Sequence, residues 1–159
     1  MASEAKQFIG AIGLIRRDRE DGRDEWLAFW NTGRRCYQFV EAHRLEGETY
    51  RQSLLREIAW TTGLRTGKDF LVAGGPRAHL QFAEAQDCSA EPVWFIVEFF
   101  LVELMGKHHR RLLEENRELA WVTTGDIKAG QASDGRPLCP RLLSLLKQAD
   151  ILVSFDSDP

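Results

Sequence analysis

The segment Val93 to Leu104 constrains the fold more than any other stretch of this chain. It is a run of β-branched, aromatic and aliphatic side chains broken only by Glu98 and Glu103. That composition suits a pleated, largely buried surface, so a central strand is expected there. The run is too short and too charged to cross a bilayer. A central strand needs neighbours. Phe8 to Ile15 and Glu25 to Trp30, on either side of a charged turn over Arg16 to Asp24, read as a hairpin. Cys36 to Val40, Phe70 to Val72, His79 to Ala85 and Leu119 to Thr123 read as further strands.

One helix stands out among them. Leu54, Leu55, Ile58 and, less regularly, Ala59 give a helical apolar pattern between Thr49, an N-cap residue type, and Gly63, where a helix would stop. Leu142 to Ala149 reads as a second helix that closes the domain. Strands grouped around these helices give an α/β (α+β) sandwich, a mixed β-sheet packed between helices. A single domain over residues 1–159 is expected, with its core over about 7–150 and a frayed tail over 154–159.

Composition narrows the partners. The 159 residues carry a formal charge of -3, without the concentrated basic face that holds duplex nucleic acid, so nucleic acid is not an expected partner. The Lys107-His108-His109-Arg110-Arg111 stretch is the one basic cluster, suited to ligand phosphates or to plain solvation. Cys36, Cys88 and Cys139 are dispersed and form no CxxC, which gives no support to a zinc or redox-pair reading. No secretory leader pattern or membrane span is visible, so a cytoplasmic protein with inert, unpaired thiols is expected. Gly10-Ala11-Ile12-Gly13 lacks a dinucleotide-binding fingerprint and reads as tight strand packing.

The stretch from Tyr37 to Leu64 resembles the Nudix box, G-x5-E-x7-R-E-U-x-E-E-x-G-U, where U is a bulky aliphatic residue. Glu48 falls on the first glutamate, Arg56-Glu57 on R-E, Ile58 on the first U and Gly63-Leu64 on the closing pair, without a gap. Ala42 replaces the initial glycine, and Trp60-Thr61 replaces the acidic pair. Phe39 to Glu48 resembles the family's approach loop, and Glu115 to Thr123 its late strand. Models of that family are expected to recognise the pattern, because it marks ancestry more readily than activity.

The resemblance implies hydrolysis of a diphosphate linked to another group, as in nucleotides, with magnesium or manganese neutralising the phosphate oxygens. It also implies Glu57 as metal ligand or base, and Glu48 as a further ligand or bracing acid. Arg56 and Gly63 would be structural. On a helix, positions 57, 60 and 61 share a face, so glutamates there would converge on one ion. Here that face is Glu57, Trp60 and Thr61. An indole offers only an N–H donor and cannot ligate magnesium. Trp60 instead reads as a pocket wall able to stack on a base or sugar.

Other candidates lie outside the box. Glu98 and Glu103 fall on opposite faces of their strand, and Glu98 or Glu115 is a candidate substitute metal ligand, with Glu46 and Glu103 behind them. Glu114 and Glu118 share the late acidic loop with Glu115. His43, Arg110 and Arg111 are candidate contacts for ligand phosphates. The ligand's other half would meet the loops 16–24, 74–79 and 87–91. Three functions follow: a nucleotide- or diphosphate-binding domain with weak or absent hydrolysis, an active metal-dependent pyrophosphohydrolase, or a homodimeric interaction module built through exposed aromatics such as Trp26 and Trp30.

Overall fold

The computed structural model describes residues 7–18, 24–85 and 92–152. The tip of the 16–24 turn, the loop 87–91, Cys88 and the tail 154–159 lie outside the described residues. The elements are β1 (Gln7–Asp18), β2 (Asp24–Asn31), β3 (Cys36–Gln38), β4 (Val40–His43), α1 (Tyr50–Thr62), β5 (Phe70–Val72), β6 (Ala78–Ala85), β7 (Pro92–Leu104), α2 (His108–Glu114), β8 (Leu119–Thr123), α3 (Thr124–Ala129) and α4 (Pro140–Ala149).

The apolar run at Val93 to Leu104 is central, as its composition predicts. It forms most of β7, which pairs in parallel with β1 from Gln7↔Trp94 to Arg16↔Glu103. On its other side β7 pairs antiparallel with β6 along its first half and with β5 at its end. The first half of β1 pairs with β4 and its end with β2, and β2 continues to β3 and β8. All eight strands make one mixed sheet.

Alternation along these strands divides the core into two layers. Ala11 and Ile15 of β1, with Phe100 and Val102 of β7, face Leu54 and Ile58 of α1 and Leu113 of α2. Phe8, Ile12 and Leu14, with Phe95, Val97 and Phe99, face Ile127 of α3 and Leu142, Leu145 and Leu146 of α4. The sheet therefore lies between helices, which is the expected α/β arrangement.

Close packing explains the glycines of β1. A Cβ on Gly10 would come within 2.0 Å of the Ala42 carbonyl oxygen, so only glycine lets β4 approach there. A Cβ on Gly13 would meet Leu54 Cδ1 at 3.3 Å, where α1 rests on the sheet.

Several expectations need correction. Cys36–Val40 is not one strand but two short ones, β3 and β4. Short helices α2 and α3 occupy stretches where the sequence pattern suggested none. Cys36 and Cys139 are not free thiols: they form a disulfide that ties β3 to the N-cap of α4, across 103 residues of sequence. Strand pairing brings them together, because Tyr37 and Leu138 lie across an isolated parallel bridge. Trp26 is only 5% exposed and belongs to the α4-side core, and Trp30 is half-buried edge-on against Tyr37. Neither offers the exposed aromatic surface expected for a dimer: both sit on β2, Trp26 under the α4-side core and Trp30 against Tyr37. Among the described residues, no helix is long and apolar enough to cross a membrane.

Candidate functional site

The helix that carries the box is fixed at both ends by local chemistry. The Thr49 side chain accepts from the Gln52 backbone N–H at 3.1 Å, while the Thr49 N–H donates to Gln52 Oε1 at 2.9 Å. This reciprocal cap satisfies two donors that the first turn leaves open. Gly63 ends α1 in the left-handed region at φ 77°, which a side chain would strain.

Arg56 and Glu48 form the hub of the loop before α1. Arg56 Nε donates to Glu48 Oε2 and Nη2 to Glu48 Oε1, both at 3.1 Å. Arg56 Nη2 also donates to the His43 carbonyl at 2.9 Å, and Nη1 to Glu57 Oε2 at 3.3 Å. Glu48 accepts two more bonds, from Ser53 Oγ at 2.8 Å and from the Leu45 N–H at 3.2 Å. These donors, Arg56 foremost, hold the Glu48 carboxyl down at about 2. A carboxylate so engaged braces the loop and has little lone-pair capacity left for a metal.

Glu57 is the remaining carboxylate on the working face of α1. Thr61 Oγ1 donates to Glu57 Oε1 at 3.4 Å. Trp60 is 85% exposed, the most exposed large hydrophobic side chain among the described residues. Arg56, Glu57, Ala59 and Trp60 line an open cleft of about 630 Å³ along the outer side of α1. An aromatic wall, an acceptor and a small apolar residue suit the flat, partly polar face of a nucleoside.

Magnesium and manganese demand several hard oxygen ligands. At this face one carboxylate and a neutral hydroxyl are on offer, beside an indole that only donates. Among the described residues, no group of three or more His, Cys, Asp or Glu side chains could hold a metal ion. The residues present do not fit the divalent cation that the box would imply.

The other candidates are scattered. Glu98 lies on the α1 side of the sheet, paired across Ala11, and its Oε2 is 2.9 Å from His79 Nδ1. His79 Nε2 contacts Gln81 Nε2, and the His79 ring meets Tyr50 of α1 edge-on. Glu103 is on the opposite face, ion-paired with Arg16. Glu115 is exposed and ion-paired with Arg111 at 3.2 Å. Glu46, Glu114 and Glu118 are exposed loop or helix-end residues.

The expected phosphate contacts are not brought together either. His43 stands at the end of β4 with its ring on Phe8, which belongs to the α4-side core, so its side chain faces away from α1. Arg110 and Arg111 lie on α2, and neither lines the α1 cleft. Nearby, Asp69 is buried and accepts from the Arg65 side chain and backbone, which holds its carboxyl at about 2. Of the loops expected to shape the ligand pocket, residues 74–77 form an exposed turn before β6. The His79–Glu98 pair was not foreseen. Strand alternation placed Glu98 on one face, but only the register of β6 on β7 sets His79 opposite it.

No family model matches the sequence, and no curated protein matches it. The expectation that models of the family would recognise the box is therefore overturned. Solved structures do match. An Ap4A hydrolase from C. elegans aligns at TM-score 0.54 and 14% identity, over 91% of this chain and 96% of that one. RenU, a Nudix hydrolase from M. smegmatis, aligns at TM-score 0.55 and 18% identity, over 92% and 89%. The NUDIX domain of Shewanella oneidensis NrtR, complexed with ADP ribose, aligns at TM-score 0.56 and 13% identity, over 94% and 89%. At such identities the likeness establishes the fold and nothing finer. The chain has the Nudix fold.

Proposed function

We propose that this Nudix-fold chain binds a nucleotide or another diphosphate-containing metabolite in the α1 cleft, and hydrolyses it weakly or not at all. The observation that carries the reading is the α1 cleft lined by Glu57 and Trp60; by the box resemblance, Trp60 and Thr61 stand where carboxylates would join Glu57 on a metal. Trp60 supplies a stacking surface for a base or sugar, and Glu57 accepts hydrogen bonds from sugar hydroxyls. Arg56 does not reach for phosphate, because its donors already hold Glu48, Glu57 and the His43 carbonyl. The kinship in fold with a domain complexed with ADP ribose supports the ligand class.

Efficient hydrolysis needs charge neutralisation at the phosphoryl oxygens and a positioned water. Neither role is well served by one carboxylate and a threonine. The active-enzyme alternative rests on Glu98, which faces the α1 side but is bonded to His79. It would have to leave that partner to act as a ligand.

Calorimetric titration with ADP ribose and nucleoside diphosphates, with phosphate release measured in magnesium or manganese, tests the reading. Saturable binding without turnover is expected, weakened about tenfold or more in Trp60→Ala through the lost stacking. Phosphate release that collapses in Glu57→Gln would overturn the non-hydrolytic reading. Binding that ignores Trp60→Ala would place the ligand elsewhere.

A further inference from the structure

On the face of the sheet opposite α1, three charged side chains converge from separate elements. Glu41 comes from β4, Arg141 from the first turn of α4 and Arg34 from the turn between β2 and β3. Arg141 Nη2 lies 3.2 Å from Glu41 Oε1, and Arg34 Nη1, which donates to Gln38 Oε1 at 3.3 Å, lies 4.0 Å from Glu41 Oε2. Glu41 and Arg141 are largely buried, with side chains 11% and 15% exposed, whereas the Arg34 side chain is 42% exposed. The Arg141 guanidinium also covers two rings, 4.7 Å from the centre of Phe8 and 5.0 Å from that of Phe95.

Two features of this cluster are unmet. The first is charge: two guanidinia face one carboxylate, which leaves a surplus positive charge in a half-buried setting. The second is hydrogen bonding. Arg141 Nε is buried and has no partner. A buried donor left without an acceptor is costly, more so on a charged group. An ion pair kept for stability alone would need only one arginine beside Glu41. Burial pushes the Arg141 pKa down, yet a guanidinium stays charged in proteins, so the surplus is not relieved by losing a proton.

The geometry also says what the site does not take. The Phe8 and Phe95 faces are already covered by Arg141, so a planar ring finds no free platform there. What remains is a pair of guanidinia that share one carboxylate and can grip a second acidic group from its other side. The spacing of the pair is held by the chain. Arg34 lies two residues before Cys36, and Arg141 two residues after Cys139, and those cysteines are bonded to each other.

We propose that Arg34 and Arg141 form an oxyanion site on the α4 side of the sheet, taking a phosphate or carboxylate group between them beside Glu41. The site is independent of the α1 cleft, and a ligand in one need not touch the other.

Titration of the arginine Nε–H signals by nuclear magnetic resonance tests this, with inorganic phosphate in one arm and acetate in the other, against chloride at equal ionic strength. The Arg34 and Arg141 signals are expected to shift together on one saturable curve, while the Trp60 indole N–H stays in place. Saturation by phosphate alone assigns the phosphate class, and saturation by acetate alone the carboxylate class. Arg34→Gln, at an exposed position, should weaken binding about tenfold through loss of a charged hydrogen-bond donor. Glu41→Gln should strengthen it by removing the competing carboxylate. The proposal is overturned if neither anion moves the two signals beyond the chloride control, or if the curves are unchanged in Arg34→Gln.

Discussion

Replacing Trp60 and Thr61 together by glutamate should turn the outer face of α1 into a metal site. Both positions are exposed, so the change removes little packing, and Thr61 already reaches Glu57 at 3.4 Å. Carboxylates at positions 57, 60 and 61 would lie one turn apart on a single face. Without metal they repel one another, which costs about 0.2–0.5 kcal/mol per neighbouring pair and lowers Tm slightly. With metal the sign reverses. For an affinity on the order of 1 mM, the weak end of oxygen-ligand sites, 10 mM magnesium would stabilise the variant by about 1.4 kcal/mol. In a chain of 159 residues that corresponds to a Tm rise of about 3–6 °C. Thermal unfolding followed by circular dichroism, with and without magnesium, reads the difference directly. The wild type should shift by less than about 1 °C under the same conditions. An equal shift in both proteins would show that the native face already holds a metal in spite of Trp60 and Thr61. No shift in either would show that these two positions do not alone decide the site.

Two further outcomes follow from the same geometry. The Glu48 carboxyl is depressed in the folded state, so its contribution to stability is complete above the ordinary value of 4.5 and is lost as pH falls toward about 2. Urea unfolding across that window should show a loss of stability that Glu48→Gln flattens, and parallel curves would contradict the bracing role. Gly10→Ala would push a methyl group against the Ala42 carbonyl oxygen. It should cost about 1–3 kcal/mol in chemical denaturation, and a neutral result would mean that β4 can move away from β1.

Much of the site was legible because its chemistry is local. Thr49, Gln52 and Gly63 fix the ends of α1 through contacts a few residues apart, so the helix could be placed from sequence. The box resemblance marked Glu48 as a ligand or bracing acid and Arg56 as structural, and the structure joins the two as partners. That Trp60 and Thr61 stand where acids would be came from the box resemblance, and the helical period put both on one face with Glu57. His43 was misplaced for the same reason in reverse. Its position before α1 suggested the ligand end of the helix, but it closes a strand, and alternation there turns its ring to the other face of the sheet.

Local patterns in the chain were enough to make β7 central, to cap α1 and put Glu57 and Trp60 on it, and to enclose the sheet with helices. Those outcomes depend on composition, period and short-range hydrogen bonds, all of which a chain carries locally. That His79 meets Glu98, that Cys36 meets Cys139, and that Arg34 and Arg141 face Glu41 follows from the assembled fold. Each of those meetings depends on strand register and on where α4 docks. A shift of one residue in register would turn every side chain of a strand to the opposite face.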